Sequence, residues 1–209
     1  MGLFSRGKAP LTVTYRAKSE SGGLDQVLSF RNDTETALLP TLRFVARDHY
    51  GRELPHVVPH SVLGMDRGAV CVPPGSTGID VLAFTGEGNR SVRGVEAHVV
   101  EIMEAEHPPL TQDVTVVMID LEQRKTYEPA DFWGVGLANP NDVEVEMRVV
   151  LIQHEPQAPK DDPRQVVDVV EMTETVTVAP QGHQVIWLPE DVRGQYDGVL
   201  GAPVPALRL

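Results

Sequence analysis

Disulfide chemistry is the first thing this sequence lacks: its 209 residues hold a single cysteine, Cys71. No intrachain bridge can form, so nothing points to an oxidising compartment. Cys71 sits in the apolar run Ala69-Val70-Cys71-Val72 and reads as a small core hydrophobe rather than a reactive thiol. Aromatic residues are scarce at 5%, too few for a base-stacking platform. Positive charge is also short. Eighteen Lys+Arg against thirty Asp+Glu leave a net charge of −12, which repels a phosphate backbone and an anionic membrane surface alike. Nucleic acid is therefore not an expected partner. No apolar run is long enough for a membrane-spanning helix, so no membrane is expected either. The opening stretch MGLFSRGKAP has basic residues but no apolar run after them, and Arg6 stands where myristoylation wants Ser or Thr. Residues 1–9 read as a flexible tail, and the expected location is cytoplasmic.

What the chain does have is self-similarity. Sliding it by 107 positions aligns 27–94 with 134–201 without gaps. Asn32 falls on Asn139, Gly75 on Gly182, Ile79 on Ile186, Val92 on Val199 and Gly94 on Gly201. Apolar positions follow, as in Leu28/Val135, Leu42/Val149 and Phe44/Leu151. The boundary falls near Glu106-His107-Pro108-Pro109, a polyproline-like linker. This predicts a first domain over 10–104, a linker over 105–112 and a second domain over 113–209.

Both halves carry a period of two. Val143, Val145, Met147, Val149 and Leu151 alternate with Glu144, Glu146, Arg148, Val150 and Ile152, and 38–47 alternates likewise. Further strands are predicted at 11–16, 27–30, 70–72, 79–84, 92–100, 114–121, 132–137, 166–170, 173–178, 185–188 and 198–200. Polar turns separate them, among them Asn32-Asp33, Pro74-Gly75, Asn139-Pro140-Asn141 and Gln181-Gly182. Seventeen prolines and eighteen glycines disfavour long helices. The expected fold class is all-β, with two tandem β-sandwich domains related by internal duplication.

The turn motifs carry a resemblance. Leu28-Ser29-Phe30-Arg31-Asn32, then Leu42-Arg43-Phe44-Val45 closing on Asp48-His49-Tyr50-Gly51, then Pro74-Gly75, resemble the small bacterial immunoglobulin-like sandwiches of the FxLYD type. The second half keeps Asn139 and Gly182 but replaces the Asp-x-x-Gly turn by a long loop over 153–165. The Cys…Trp…Cys spacing of antibody domains is absent. The resemblance implies an immunoglobulin-like, non-catalytic module of a kind usual in exported proteins.

Motifs that carry chemistry are few. His56 and His60 have zinc-like spacing, but Pro55 and Pro59 interleave them, so no helix can aim both at one metal. Asp161-Asp162 and Glu190-Asp191 read as solvated loop charge rather than a calcium site. Gly86-Glu87-Gly88-Asn89 opens no helix and lacks the Lys-Ser/Thr of a phosphate loop. Ser76 follows Pro74-Gly75, where a turn residue is expected, and no G-x-S-x-G is present. No catalytic residue, cofactor or metal site is assigned. An enzyme would require a pocket with converging histidines and carboxylates.

The remaining signal is an excess of outward apolar residues in the second half. Trp187 aligns with Asp80; if Ile79/Ile186 point inward, strand alternation turns 80/187 outward. Val150 aligns with Arg43 and faces outward too, with Ile152 beside it. Trp187, Val150 and Ile152 are thus the candidate partner-binding residues. Two explanations stay open: a protein partner covers them, or the patch packs on the first domain, the chain end or a loop. Trp133, in phase with Val135 and Leu137, reads as core. The loop over 153–165 is a recognition loop or an insertion without function. The expected role is that of a non-enzymatic structural or adaptor protein acting by protein–protein interaction or self-association. The alternative is a carbohydrate- or small-ligand-binding module, which a groove with clustered exposed aromatics would favour.

Overall fold

A computed structural model describes residues 10–19, 23–156, 162–172 and 175–205. The chain is all-β and its strands pair antiparallel throughout. The first half contributes β1 (Leu11–Arg16), β2 (Val27–Asn32), β3 (Ala37–Arg47), β4 (Val58–Ser61), β5 (Thr77–Thr85) and β6 (Gly94–Ala105). The second half contributes β7 (Thr115–Ile119), β8 (Gly134–Ala138), β9 (Val145–His154), β10 (Val166–Glu171), β11 (Val176–Val178), β12 (His183–Trp187) and β13 (Gly198–Pro203). In the first half, β1-β2-β5-β4 form one sheet and β3-β6 another. In the second, β7-β8-β12 form one sheet, while β9 pairs with β13 on one side and with β10 and β11 on the other. No helix of the described residues is long and apolar enough to cross a membrane.

Most expected strands form, with two exceptions. Residues 70–72 make only a single bridge, Leu38 to Val72. The histidine- and proline-bearing stretch becomes β4, with Pro59 opposite Phe84. Proline removes a ladder donor and is tolerated there because β4 lies at a sheet edge.

The two main ladders match rung by rung. Thr14–Ser29–Ile79 occupies the place of Val117–Gly136–Val185, and Arg16–Val27–Val81 that of Ile119–Gly134–Trp187. The two asparagines make matching turns. Asn32 Nδ2 donates to the carbonyls of Thr36 (2.7 Å), Val72 (3.0 Å) and Pro73 (3.1 Å). Asn139 Nδ2 donates to those of Val143 (2.7 Å), Val178 (3.2 Å) and Ala179 (3.1 Å). Burial makes these bonds necessary, since an unpaired amide there would forfeit its hydration.

The constant separation of 107 holds only through β3 and β9. The Asn32 amide donates to Ser76 O (3.0 Å) where that of Asn139 donates to Gly182 O (2.9 Å). Gly182 therefore stands in the place of Ser76, not Gly75, because the second half is one residue shorter before this turn. Leu42 faces Val99 where Val149 faces Gly201, so the separation there is 102. Val92/Val199 and Gly94/Gly201 are thus not structural equivalents. The shift also reverses β5 relative to the expectation: Asp80 points inward, fully buried, and Ile79 outward, 43% exposed. The inward equivalent of Asp80 is Ile186, since their rungs are Tyr15–Leu28–Asp80 and Met118–Val135–Ile186.

Apolar side chains gather into two clusters. One belongs to the second half and includes Phe132, Val135, Leu137, Met147 and Leu151. The other centres on first-half residues such as Leu28, Phe44, Leu63 and Leu82, but takes in Val150, Ile152, Leu200 and Ala202. Burying aliphatic side chains stabilises by roughly 1.5–3 kcal/mol each, so this shared cluster binds the halves firmly. The stretch expected as a linker is anchored: β6 runs through Ala105, and Asn141 Oδ1 accepts from the amides of Thr111 (2.8 Å) and Gln112 (3.1 Å).

Candidate functional site

The side chains singled out by the sequence separate into covered and uncovered sets. Val150 and Ile152 are 3% and 0% exposed, inside the cluster that joins the halves. A partner outside the chain cannot reach them, because the first half already provides their apolar cover. Trp187 does face outward and is 44% exposed. Trp133 is half-buried rather than core, with the Arg193 guanidinium 4.5 Å over its ring.

Polar contacts lock the covered side. Arg164 NH1 reaches Asp197 Oδ2 (2.5 Å), its NH2 donates to Gly23 O (3.0 Å), and its amide donates to Asp25 Oδ2 (2.8 Å). His154 Nδ1 lies 2.9 Å from Asp197 Oδ1. Burial works to raise the Asp197 carboxyl, but the His154 bonds and Arg164 outweigh it and hold it below the ordinary range. Arg90 pairs with Glu155 (2.5 Å), and Arg93 with Asp162. The described part of the loop over 153–165 thus clamps the second half onto the first. Asp161, the neighbour of Asp162 in the acidic pair, lies outside the described residues.

Where the clamp ends, a groove of about 490 Å³ opens between the halves. Thr12, Thr14 and Ser29 give it a hydroxyl wall, and Val114, Val116 and Val199 an apolar one. Thr77 Oγ1 donates across it to Asp113 Oδ2 (2.5 Å). No aromatic platform stands in it; Phe30, the one aromatic lining it, is buried. Among the described residues, no group of three or more His, Cys, Asp or Glu could hold a metal. His60 instead contacts Thr85 Oγ1 at 3.3 Å.

The second apolar feature is the outer face of β7-β8-β12. Strand alternation sends Val135 and Leu137 into the core and turns Gly134, Gly136 and Ala138 outward. With no Cβ at Gly136, a depression of about 230 Å³ opens there, bordered by Val117 and Val185 and by the polar Gln123, His183 and Gln184. A Cβ at Gly134 would lie 3.0 Å from the Trp187 ring, so the indole rests against that glycine. The equivalent first-half rung, Arg16–Val27–Val81, is the covered one: Val27 is 4% and Val81 0% exposed. The glycine pair was missed from the sequence. Its signal was present in Gly134-Val135-Gly136, because glycine alternating within a strand marks close approach by another group.

The chain matches no known protein family and no curated protein.

Proposed function

We propose that this chain is a non-enzymatic structural or adaptor protein that acts by docking another protein surface on the outer face of β7-β8-β12. In this reading the two halves are tandem immunoglobulin-like sandwiches, copied from one ancestral unit and working in the cytoplasm. The matched rungs and the paired Asn32 and Asn139 turns support the duplication. The lone, buried Cys71 leaves the fold independent of disulfides. The carrying observation is a difference in cover. The same three-strand rung exists twice: at Val27 and Val81 the rest of the chain covers it, and at Gly134 and Trp187 it leaves the tryptophan 44% exposed, near a depression bordered by Val117 and Val185.

The test is photo-crosslinking in the source cell, with Trp187 replaced by a photoreactive phenylalanine analogue. A discrete crosslinked protein species is expected. Absence of any crosslink at 187, with crosslinking intact at a control position, sinks the reading. A small-ligand function is favoured by one observation, the 490 Å³ groove with its hydroxyl and apolar walls. Saccharides raising the melting temperature, an effect abolished by Thr14→Trp, would support that alternative.

A further inference from the structure

We infer that the uncovered β7-β8-β12 face is completed by the same face of a second copy of this chain, as a two-fold dimer in which Trp187 of each copy enters the Gly136 depression of the other. This rests on the reading of that face as a docking surface and names its occupant. The first argument is continuity with an interface the chain already makes. The first-half counterpart of the Trp187 rung, Val27 and Val81, is buried in the cluster shared with the second half, while that of the Gly136 rung, Thr14–Ser29–Ile79, stays open; the end of the ladder that carries Trp187 is thus the end that takes a covering sheet. The second is self-complementarity. A two-fold interface needs knob and hole on one patch. Trp187 stands on the same face as Gly136, two residues along its strand from Val185, with one edge of its indole against Gly134 and the residue 44% exposed, and the depression of about 230 Å³ at Gly136 has room for the exposed edge of an indole. The third is charge. The chain carries −12, yet no Asp, Glu, Lys or Arg borders the depression, so two copies can meet there without opposing carboxylates.

Chemistry favours the two-fold arrangement over a head-to-tail one. A head-to-tail chain would place the outer face of β3-β6 on this site, as the outer face of β9-β13 is placed on the first half. The covering rungs are Val150–Leu200 and Ile152–Gly198, whereas their first-half counterparts are Arg43–His98 and Val45–Glu96. Pressing Arg43 and Glu96 against Trp187 and Val185 would strand charges in an apolar interface.

The experiment is light scattering on the full chain over a concentration series, with Trp187→Ala and Gly136→Ser. Serine occupies the Gly136 rung position in the first half as Ser29, so the second variant has a precedent in this fold. A wild-type dimer is expected, with each substitution weakening it at least about 30-fold, the scale of an interfacial hot spot, while circular dichroism stays unchanged. A wild-type monomer, or a dimer that survives whichever variants remain folded, overturns the inference. A monomer whose position 187 still crosslinks to a different protein overturns the second copy while leaving the docking face standing. A monomer with no crosslink overturns both.

Discussion

The two halves put the same ladders to opposite uses. On the outer face of β9-β13, Val150, Ile152 and Leu200 are apolar and covered by the first half. At the same positions of β3-β6 stand Arg43, Val45 and His98, and Arg47 pairs with Glu96 at the surface. The other face is reversed: polar Thr14 and Ser29 in the first half stand where Val117 and Gly136 stand in the second. At these positions each half is polar where its counterpart is apolar, whereas at the covered end of the first-half ladder Val27 and Val81 are apolar too. Between ladders that match in this way, a handful of different side chains decides which faces of the two halves meet.

The strongest way to break this comparison is through the features both halves share. Asn32→Ala removes a buried amide that holds three carbonyls and whose Oδ1 accepts from the Thr34 amide (2.9 Å). The loss of several buried hydrogen bonds is expected to cost about 4 kcal/mol. Asn139→Ala should cost nearly as much. Urea denaturation measures both, and a loss below 1 kcal/mol in either would end the idea that these turns perform the same task.

Asp80 sharpens the comparison where the halves differ. Burial raises its carboxyl to about 6, even though Ser61 Oγ and the amides of Leu63 (2.9 Å) and Val81 (2.7 Å) donate to it. A folded-state value above the unfolded one adds stability that is complete below about pH 4 and lost as pH rises through 6. The difference of about two units corresponds to about 3 kcal/mol. Stability measured from pH 4 to pH 8 should therefore fall by that much relative to Asp80→Asn, which can still accept from both amides. Asp197 acts with the opposite sign. Its depressed carboxyl adds stability that is present at neutral pH and lost in acid. Superimposable pH curves for wild type and Asp80→Asn would refute the buried-charge account.

Arg164→Ala tests the clamp between the halves. The guanidinium is part-exposed, so its pairs with Asp197 and Asp25 are screened. The expected loss is about 2 kcal/mol, chiefly from leaving Asp25 and Asp197 with fewer partners. Calorimetry should show the single unfolding transition broaden or split, since the polar part of the junction goes while the shared apolar cluster stays. An unchanged endotherm would mean that the cluster alone couples the halves.

Strand alternation was legible wherever one face is buried and the other wet, as in β3 and in β9 from Val145 to Val149. Turns with a unique requirement, such as Asn32 and Asn139, also read correctly. The register beyond them did not. A one-residue difference in loop length exchanges the two faces of a strand, so aligning Ile79 with Ile186 turned Asp80 outward on paper. Matching hydrophobicity could not reveal the slip, because isoleucine stands on the exposed outer face at Ile79 and against the core at Ile186. Val150 and Ile152 were legible as outward apolar residues. Their cover was not, because it depends on how the two halves meet rather than on either strand. The outward placing of Trp187 holds, because Ile186 and Leu188 on either side of it turn inward; what fails is its alignment with Asp80, since Val81 occupies the Trp187 place in the first half.

The smallest expected effect sits on that tryptophan. Val81 and Trp187 hold the same rung position, but Val81 is wholly buried and Trp187 nearly half exposed. Val81→Ala should cost about 2 kcal/mol, since it leaves a cavity beneath a covering sheet. Trp187→Ala should cost less than about 1 kcal/mol in dilute protein, because the larger side chain leaves solvent already in contact with its ring. The inequality is the informative part, for residue size alone predicts the reverse order. A tryptophan variant that melts far below the valine one would show that the indole braces β8 across Gly134, and the second half would then lose its claim to a free face.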